Sequence, residues 1–181
     1  MDSKSFCTAL GKEEANRQLR NHWKAWVTED EIAKMASYGV DTLRIPVGDW
    51  MYVPYEPYNG CWDGSLDELQ RILDLCTKYN IMALIDIHGM KDSQNGLDNS
   101  GETMRLTWLT KASEANVTRF KHWDAVSGNW IAPYDFLTQT YGKTNNDNIE
   151  HSLKVVETII KMYRDNPTVV GIEPGMLTVL Q

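Results

Sequence analysis

A chain of 181 residues suffices for one globular core but falls short of the roughly 250 residues of a complete eight-stranded βα barrel. Its 42% hydrophobic and 24% charged residues are ordinary for a folded protein and exclude disordered and fibrous classes. A formal net charge of -7 argues against binding nucleic acid or anionic lipid, which calls for clustered Lys and Arg, and favours an uncharged substrate.

No stretch reaches the roughly 18 consecutive apolar residues of a membrane span, and Met1 to Arg20 lacks the apolar centre of a signal peptide. Cys7, Cys61 and Cys76 form no C-x-x-C pair and no metal-ligand spacing, so neither a zinc site nor a cofactor is expected. Cys76 falls in an amphipathic run and reads as a buried thiol. Cys7 and Cys61, both in loop-like segments, are free to pair in an oxidising compartment or to stay reduced. Asn116-Val117-Thr118 is the single N-glycosylation sequon.

In chain order, Thr28-Glu29-Asp30-Glu31 is a capping box that starts a helix with Ile32, Met35 and Ala36 on one face and Gly39 as its stop. Val40 to Val47 follows as a buried strand. Ser65-Leu66-Asp67-Glu68 repeats the capping signal ahead of a stripe of Leu66, Leu69, Ile72, Leu73 and Cys76. Met82 to Ile87 is a nearly continuous apolar run, as in a parallel strand covered on both faces. A third helix, from about Asn148 to Arg164, turns Leu153, Val156, Ile160 and Tyr163 inward, and Val169 to Glu173 forms the last strand. This alternation of helices and strands, with no G-x-G-x-x-G or phosphate loop, predicts an α/β fold of the barrel type.

Polar side chains gather at the C-terminal ends of these strands, where barrel enzymes place their chemistry: Arg44, then Asp86 with His88, then Glu173. Arg44 in an apolar strand is either a clamp on a carboxylate or sugar hydroxyls, or half of a structural ion pair. Asp86 and His88 share one strand face. They read as a carboxylate orienting an imidazole, as a core histidine, or as a metal half-site lacking its third ligand. Ser93 to Gly101 packs amide and hydroxyl side chains between glycines, which suits sugar hydroxyls and equally suits tight turns. The segment from Gly89 to Asp147 is too long for a connector and holds Trp108, Trp123, Trp130, Tyr134 and Tyr141, so it is expected to fold over the mouth of the sheet.

Four segments in order, Trp26 to Glu29, Leu43 to Trp50, Leu84 to Gly89 and Ser93 to Gly101, resemble the exo-β-1,3-glucanase branch of glycoside hydrolase family 5 from fungi and oomycetes. The resemblance runs from about Phe6 to Pro174. It implies a partial (β/α)8 barrel, roughly strands two to four, with residues 1–174 an incomplete barrel domain and 175–181 a tail outside the family pattern. It also implies a secreted, retaining hydrolase of β-glucan or its oligosaccharides, with no nucleic-acid partner. Arg44, His88 and Asn99 match the family's substrate-binding positions, and Trp50 and Asn95 join them as candidates. Leu97 stands where an aromatic is usual.

The family's fourth strand reads roughly Val-Gly-Ile-Glu-x-x-Asn-Glu-Pro, with the second Glu as acid/base. Here Met176 and Leu177 occupy the Asn and acid/base positions, and only a slid register makes Glu173 the acid/base candidate. The nucleophile belongs to a later strand. The resulting expectation is a glycosidase chain inactive as it stands, the alternatives being a non-catalytic glucan-binding or decoy protein, or an unrelated α/β binding module.

Overall fold

The computed structural model describes residues 2–104, 107–108, 123–124, 129–135 and 140–175. Three parallel strands, β1 (Thr42–Gly48), β2 (Met82–Gly89) and β7 (Val169–Glu173), lie in the order β1-β2-β7. Helix α3 (Glu29–Ser37) leads into β1, α4 (Ser65–Lys78) joins β1 to β2, and α5 (Asn146–Tyr163) leads into β7. Two short antiparallel ladders, β3 (Thr107–Trp108) with β4 (Trp123–Asp124) and β5 (Tyr134–Asp135) with β6 (Thr140–Tyr141), fall in the long segment before α5. The α/β expectation of three parallel strands with their helices is met.

The two faces of the sheet differ. Ala83, Ile85 and Ile87 of β2 are at most 1% exposed, packed with Leu69 and Leu73 of α4 and Val155, Ile159 and Tyr163 of α5. Fully burying a side chain of this kind contributes roughly 1.5–3 kcal/mol, so this face is a main source of stability. Register places Arg44, Leu84, Asp86 and Glu173 together on the opposite face. There Met82 is 41% exposed, so the cover expected on both faces of β2 is present on only one among the described residues, and the other face carries the polar side chains.

Local signals explain the helix ends with one exception. The Thr28 hydroxyl accepts from Glu31 N and the Glu31 carboxylate accepts from Thr28 N at 2.8 Å, and Gly39 in the left-handed conformation closes α3. The second capping box does not form. Gly64 is the cap of α4, Ser65 is already inside the helix, and the Glu68 carboxylate turns to Arg71 Nε at 3.0 Å instead.

Helix α5 is rotated from its expected phase. Asn148, Ser152, Val155, Ile159 and Tyr163 are buried, whereas Leu153 is 64% and Ile160 47% exposed. Polar partners select this phase: Trp130 Nε1 donates to Ser152 Oγ at 2.8 Å, and Asn148 Nδ2 donates to Asp92 Oδ2 at 2.8 Å.

Ahead of α3 stand α1 (Ser3–Leu10) and α2 (Lys12–Trp26), joined through Gly11. Cys7 therefore lies in a helix and not in the loop expected for it. It is bonded to Cys61, and both are buried beside Ala15, Trp50 and Tyr58. Cys76 is a free, buried thiol, as its position in the α4 stripe implies.

The disulfide spans a sequence separation of 54 residues. Loop-closure entropy for that span amounts to about 4 kcal/mol in the chain-entropy treatment. Cys7→Ser or Cys61→Ser is expected to lower unfolding free energy by up to that amount, with reductant destabilising the wild type equally and the variants not at all. Urea unfolding with and without dithiothreitol measures both.

Candidate active site

Asp86 sits in the central strand with no exposed surface, a placement that an ionised carboxylate tolerates only with partners. Arg44 from β1 approaches Asp86 Oδ2 at 3.0 Å, and His88 Nδ1 lies 2.7 Å from the same oxygen. Arg44 reaches on across β2 to β7, donating from Nε to Glu173 Oε2 at 2.8 Å and from an Nη to Glu173 Oε1 at 3.1 Å. Of the two readings open for Arg44, the ion pair with carboxylates is present, and it joins all three strands.

Hydrogen bonding from Arg44 holds the Glu173 carboxyl below its ordinary range, against the opposing effect of desolvation, and the same bond raises Arg44. A carboxyl held ionised in this way is a poor proton donor at neutral pH.

In the neutral imidazole with its proton on Nδ1 toward Asp86, Nε2 is left as an acceptor. Asn99 Nδ2 stands 3.5 Å from that Nε2, and Asn95 Nδ2 donates to Asn99 Oδ1 at 3.0 Å. Asn99 itself is exposed while Asn95 is 4% exposed, so Asn95 supports and Asn99 presents. The loop from Ser93 to Gly101 is a set of tight turns, one of the two readings the sequence allowed, and it leaves Asn99 exposed. Ser93 Oγ and Ser100 Oγ meet at 2.5 Å across its base, Gly96 N donates to Ser93 Oγ at 2.7 Å, and Leu97 N donates to Asn95 Oδ1 at 2.9 Å.

Trp50 lines a cavity of about 170 Å³ together with His88, Asn99, Trp62 and Asp98. It is only 5% exposed and stacks on Tyr58 with ring centroids 4.1 Å apart, so it forms a wall of the cavity and not an open platform. Three glycines make room for it. A Cβ at Gly48, Gly89 or Gly101 would come within 2.2, 2.6 and 2.2 Å of its ring.

A second polar cluster went unread in the sequence. Asp49, with no exposed surface, accepts from Tyr55 Oη at 2.8 Å and from Lys91 N at 2.8 Å. His151 Nε2 of α5 lies 3.1 Å from Asp49 Oδ2, a close contact whose angle does not suit a hydrogen bond. Burial, then the neighbouring Asp49, pushes the Tyr55 phenol far up, so it stays a donor. The polar residue between Gly48 and Trp50 was the available signal.

Among the described residues no group of three or more His, Cys, Asp and Glu side chains is placed to hold a metal ion. No described helix is long and apolar enough to cross a membrane. Asn116, Met176 and Leu177 lie outside the described residues.

Arg44→Met would leave the buried Asp86 with His88 as its remaining close partner among the described residues. The variant is expected to be less stable than the wild type at pH 7, by a modest amount because Arg44 is partly solvent-exposed. A depressed carboxyl such as Glu173 stabilises the fold above its unfolded value of roughly 4.3 and loses that contribution as pH falls through its folded value. The difference between wild type and Arg44→Met should therefore narrow below about pH 4. Urea unfolding at pH 7 and pH 3 reads it directly.

Residues 7–174 match the family model described as Cellulase (glycosyl hydrolase family 5). A glucan 1,3-beta-glucosidase of Pichia angusta is 31% identical over 167 residues, covering 91% of this chain and 35% of the relative. One from Blumeria graminis is 40% identical over 121 residues, 66% of this chain and 28% of the relative. The chain thus spans about a third of the length of these curated relatives. The crystal structure of rutinosidase from Aspergillus niger superposes with a TM-score of 0.67 at 21% identity, over 96% of this chain and 40% of that one, and shares the fold. With the family model covering nearly the whole sheet-bearing part of the sequence, the chain belongs to glycoside hydrolase family 5.

Proposed function

We propose that this chain carries the sugar-recognition side of a β-1,3-glucan site, in a protein that works outside the cell as a retaining glycosidase. The observation that supports this most is the unbroken row from Glu173 through Arg44, Asp86 and His88 to Asn99 at the C-terminal ends of the strands. It ends in an imidazole acceptor and an exposed amide beside a cavity walled by Trp50. Acceptor and donor groups lining a cleft suit hydroxyls, and an aromatic wall suits the apolar face of a pyranose. The names of the curated relatives point to the same substrate class. The disulfide between Cys7 and Cys61 supports an oxidising compartment.

Retaining hydrolysis needs two carboxyls about 5 Å apart, one of them protonated to assist the leaving group. Asp86 and Glu173 are both held by Arg44, and Glu173 is kept ionised. These two therefore serve as partners of Arg44, and Glu173 is not the acid/base. The same observation favours a second reading, in which residues 1–181 on their own bind glucan without cleaving it.

Isothermal titration of the purified chain with laminari-oligosaccharides should show binding that falls about tenfold in His88→Ala and several-fold in Asn99→Ala, the loss of a hydrogen bond or two. Incubation with laminarin should release no reducing sugar above buffer. Sustained turnover would sink the non-cleaving reading, and absence of binding in a folded sample would sink the glucan assignment.

A further inference from the structure

The exposed tip of the amide loop is held from outside the sheet. Its last residue, Gly101, adopts a left-handed conformation, and its carbonyl accepts two bonds: from Lys4 N of α1 at 2.9 Å and from the buried Tyr58 hydroxyl at 3.0 Å. Two residues on, Thr103 N donates to Asp2 Oδ2 at 3.0 Å, while the Lys4 ammonium pairs with Glu102. Asp2 uses its two oxygens for different tasks, since Oδ1 accepts from Ser5 N at 2.7 Å as the N-cap of α1. Partial burial pulls the Asp2 carboxyl up, but the Ser5 and Thr103 bonds outweigh it and bring it to about 2. Helix α1 is in turn bonded through Cys7 to Cys61, three residues after Tyr58. The ring of Trp50 fills the remaining space against Gly101.

We infer that α1 and the Tyr58–Cys61 segment, tied together by the Cys7–Cys61 disulfide, form a clasp in which Asp2 and Tyr58 act as positioning residues that hold Asn99 against His88 for sugar binding. Neither residue touches the ligand. Their effect passes through Gly101 and Thr103, which lie two and four residues from Asn99. The sugar part of this inference rests on the glucan reading above; the clasp itself does not.

Two substitutions separate the clasp from simple stability. Asp2→Asn keeps a helix cap, because Asn caps as well as Asp, but places an amino group where one of the two acceptors is needed. Tyr58→Phe removes only the hydroxyl that reaches Gly101. In both, far-UV circular dichroism should match the wild type, deuterium uptake of peptides covering 96–104 should rise, and affinity for laminari-oligosaccharide should fall about threefold or more. Asp2→Glu, which retains two acceptors, should recover part of the protection and of the affinity.

Unchanged deuterium uptake over 96–104 in both variants would overturn the clasp. Raised uptake with unaltered sugar affinity would overturn the positioning role. No oligosaccharide binding by the folded wild-type chain would overturn the glucan reading alone, and the uptake comparison would still decide the clasp.

Discussion

A carboxylate with no exposed surface in the central strand of a three-stranded sheet is the constraint around which the polar face is arranged. Asp86 receives Arg44 from one flank and His88 from its own strand, and Arg44 continues to Glu173 on the other flank. An ion pair of this kind repays its desolvation only if its geometry is good and its remaining lone pairs are used. The parallel register supplies the geometry, since Pro46 and Glu173 are both opposite Asp86 and Arg44 is one step back on the same face. Asp86 Oδ1 finds no donor among the described residues, so the cluster is not fully satisfied from within.

Trp50 does for shape what Arg44 does for charge. Gly48 and Gly89 are register partners at the end of the β1 and β2 ladder, where the register shifts, and the indole ring rests on both and on Gly101. Three glycines from three segments must converge for one ring to fit, so Trp50 fixes how far the amide loop stands from the strand ends. Its contact with Tyr58 extends the same packing into the disulfide-bearing cluster. The stability of that cluster and the shape of the cavity are therefore coupled.

Strands and their order were legible because each signal was local and agreed with its neighbours. The apolar runs at Thr42–Gly48, Met82–Gly89 and Val169–Glu173 and the capping box at Thr28 required no distant partner. Where partners decide, the sequence was ambiguous. Helix α5 offers two apolar stripes one residue apart, and the choice fell to hydrogen bonds from Trp130 and to Asp92, remote in sequence. Glu68 had two suitors, the start of its own helix and Arg71, and Arg71 also reaches Val27 O at 2.6 Å. Helix α2 buries only Ala15 completely and leaves Trp26 exposed, so its inner face is marked by few large apolar side chains. Arg44, Asp86 and His88 were marked by being polar in apolar strands, whereas Asp49 and His151 sit in segments where polar residues are ordinary.

The amide loop shows how a site is made firm without burying it. At its start, Lys91 N is held by Asp49 and Trp130 N donates to Ser93 O at 3.3 Å, while Asp92 is bonded to Asn148 of α5. At its end, Gly101 and Thr103 are held by Tyr58 and α1. Asp92 and Ser93 both sit at positive φ, a conformation costly for residues with a Cβ that persists only where the surroundings over-determine it. Elements remote from one another in sequence thus fix the two ends, and the hydroxyls of Ser93 and Ser100 tie the base. What is left to meet a ligand is the short exposed run of Asp98 and Asn99, whose freedom is limited by anchors that lie outside the cleft.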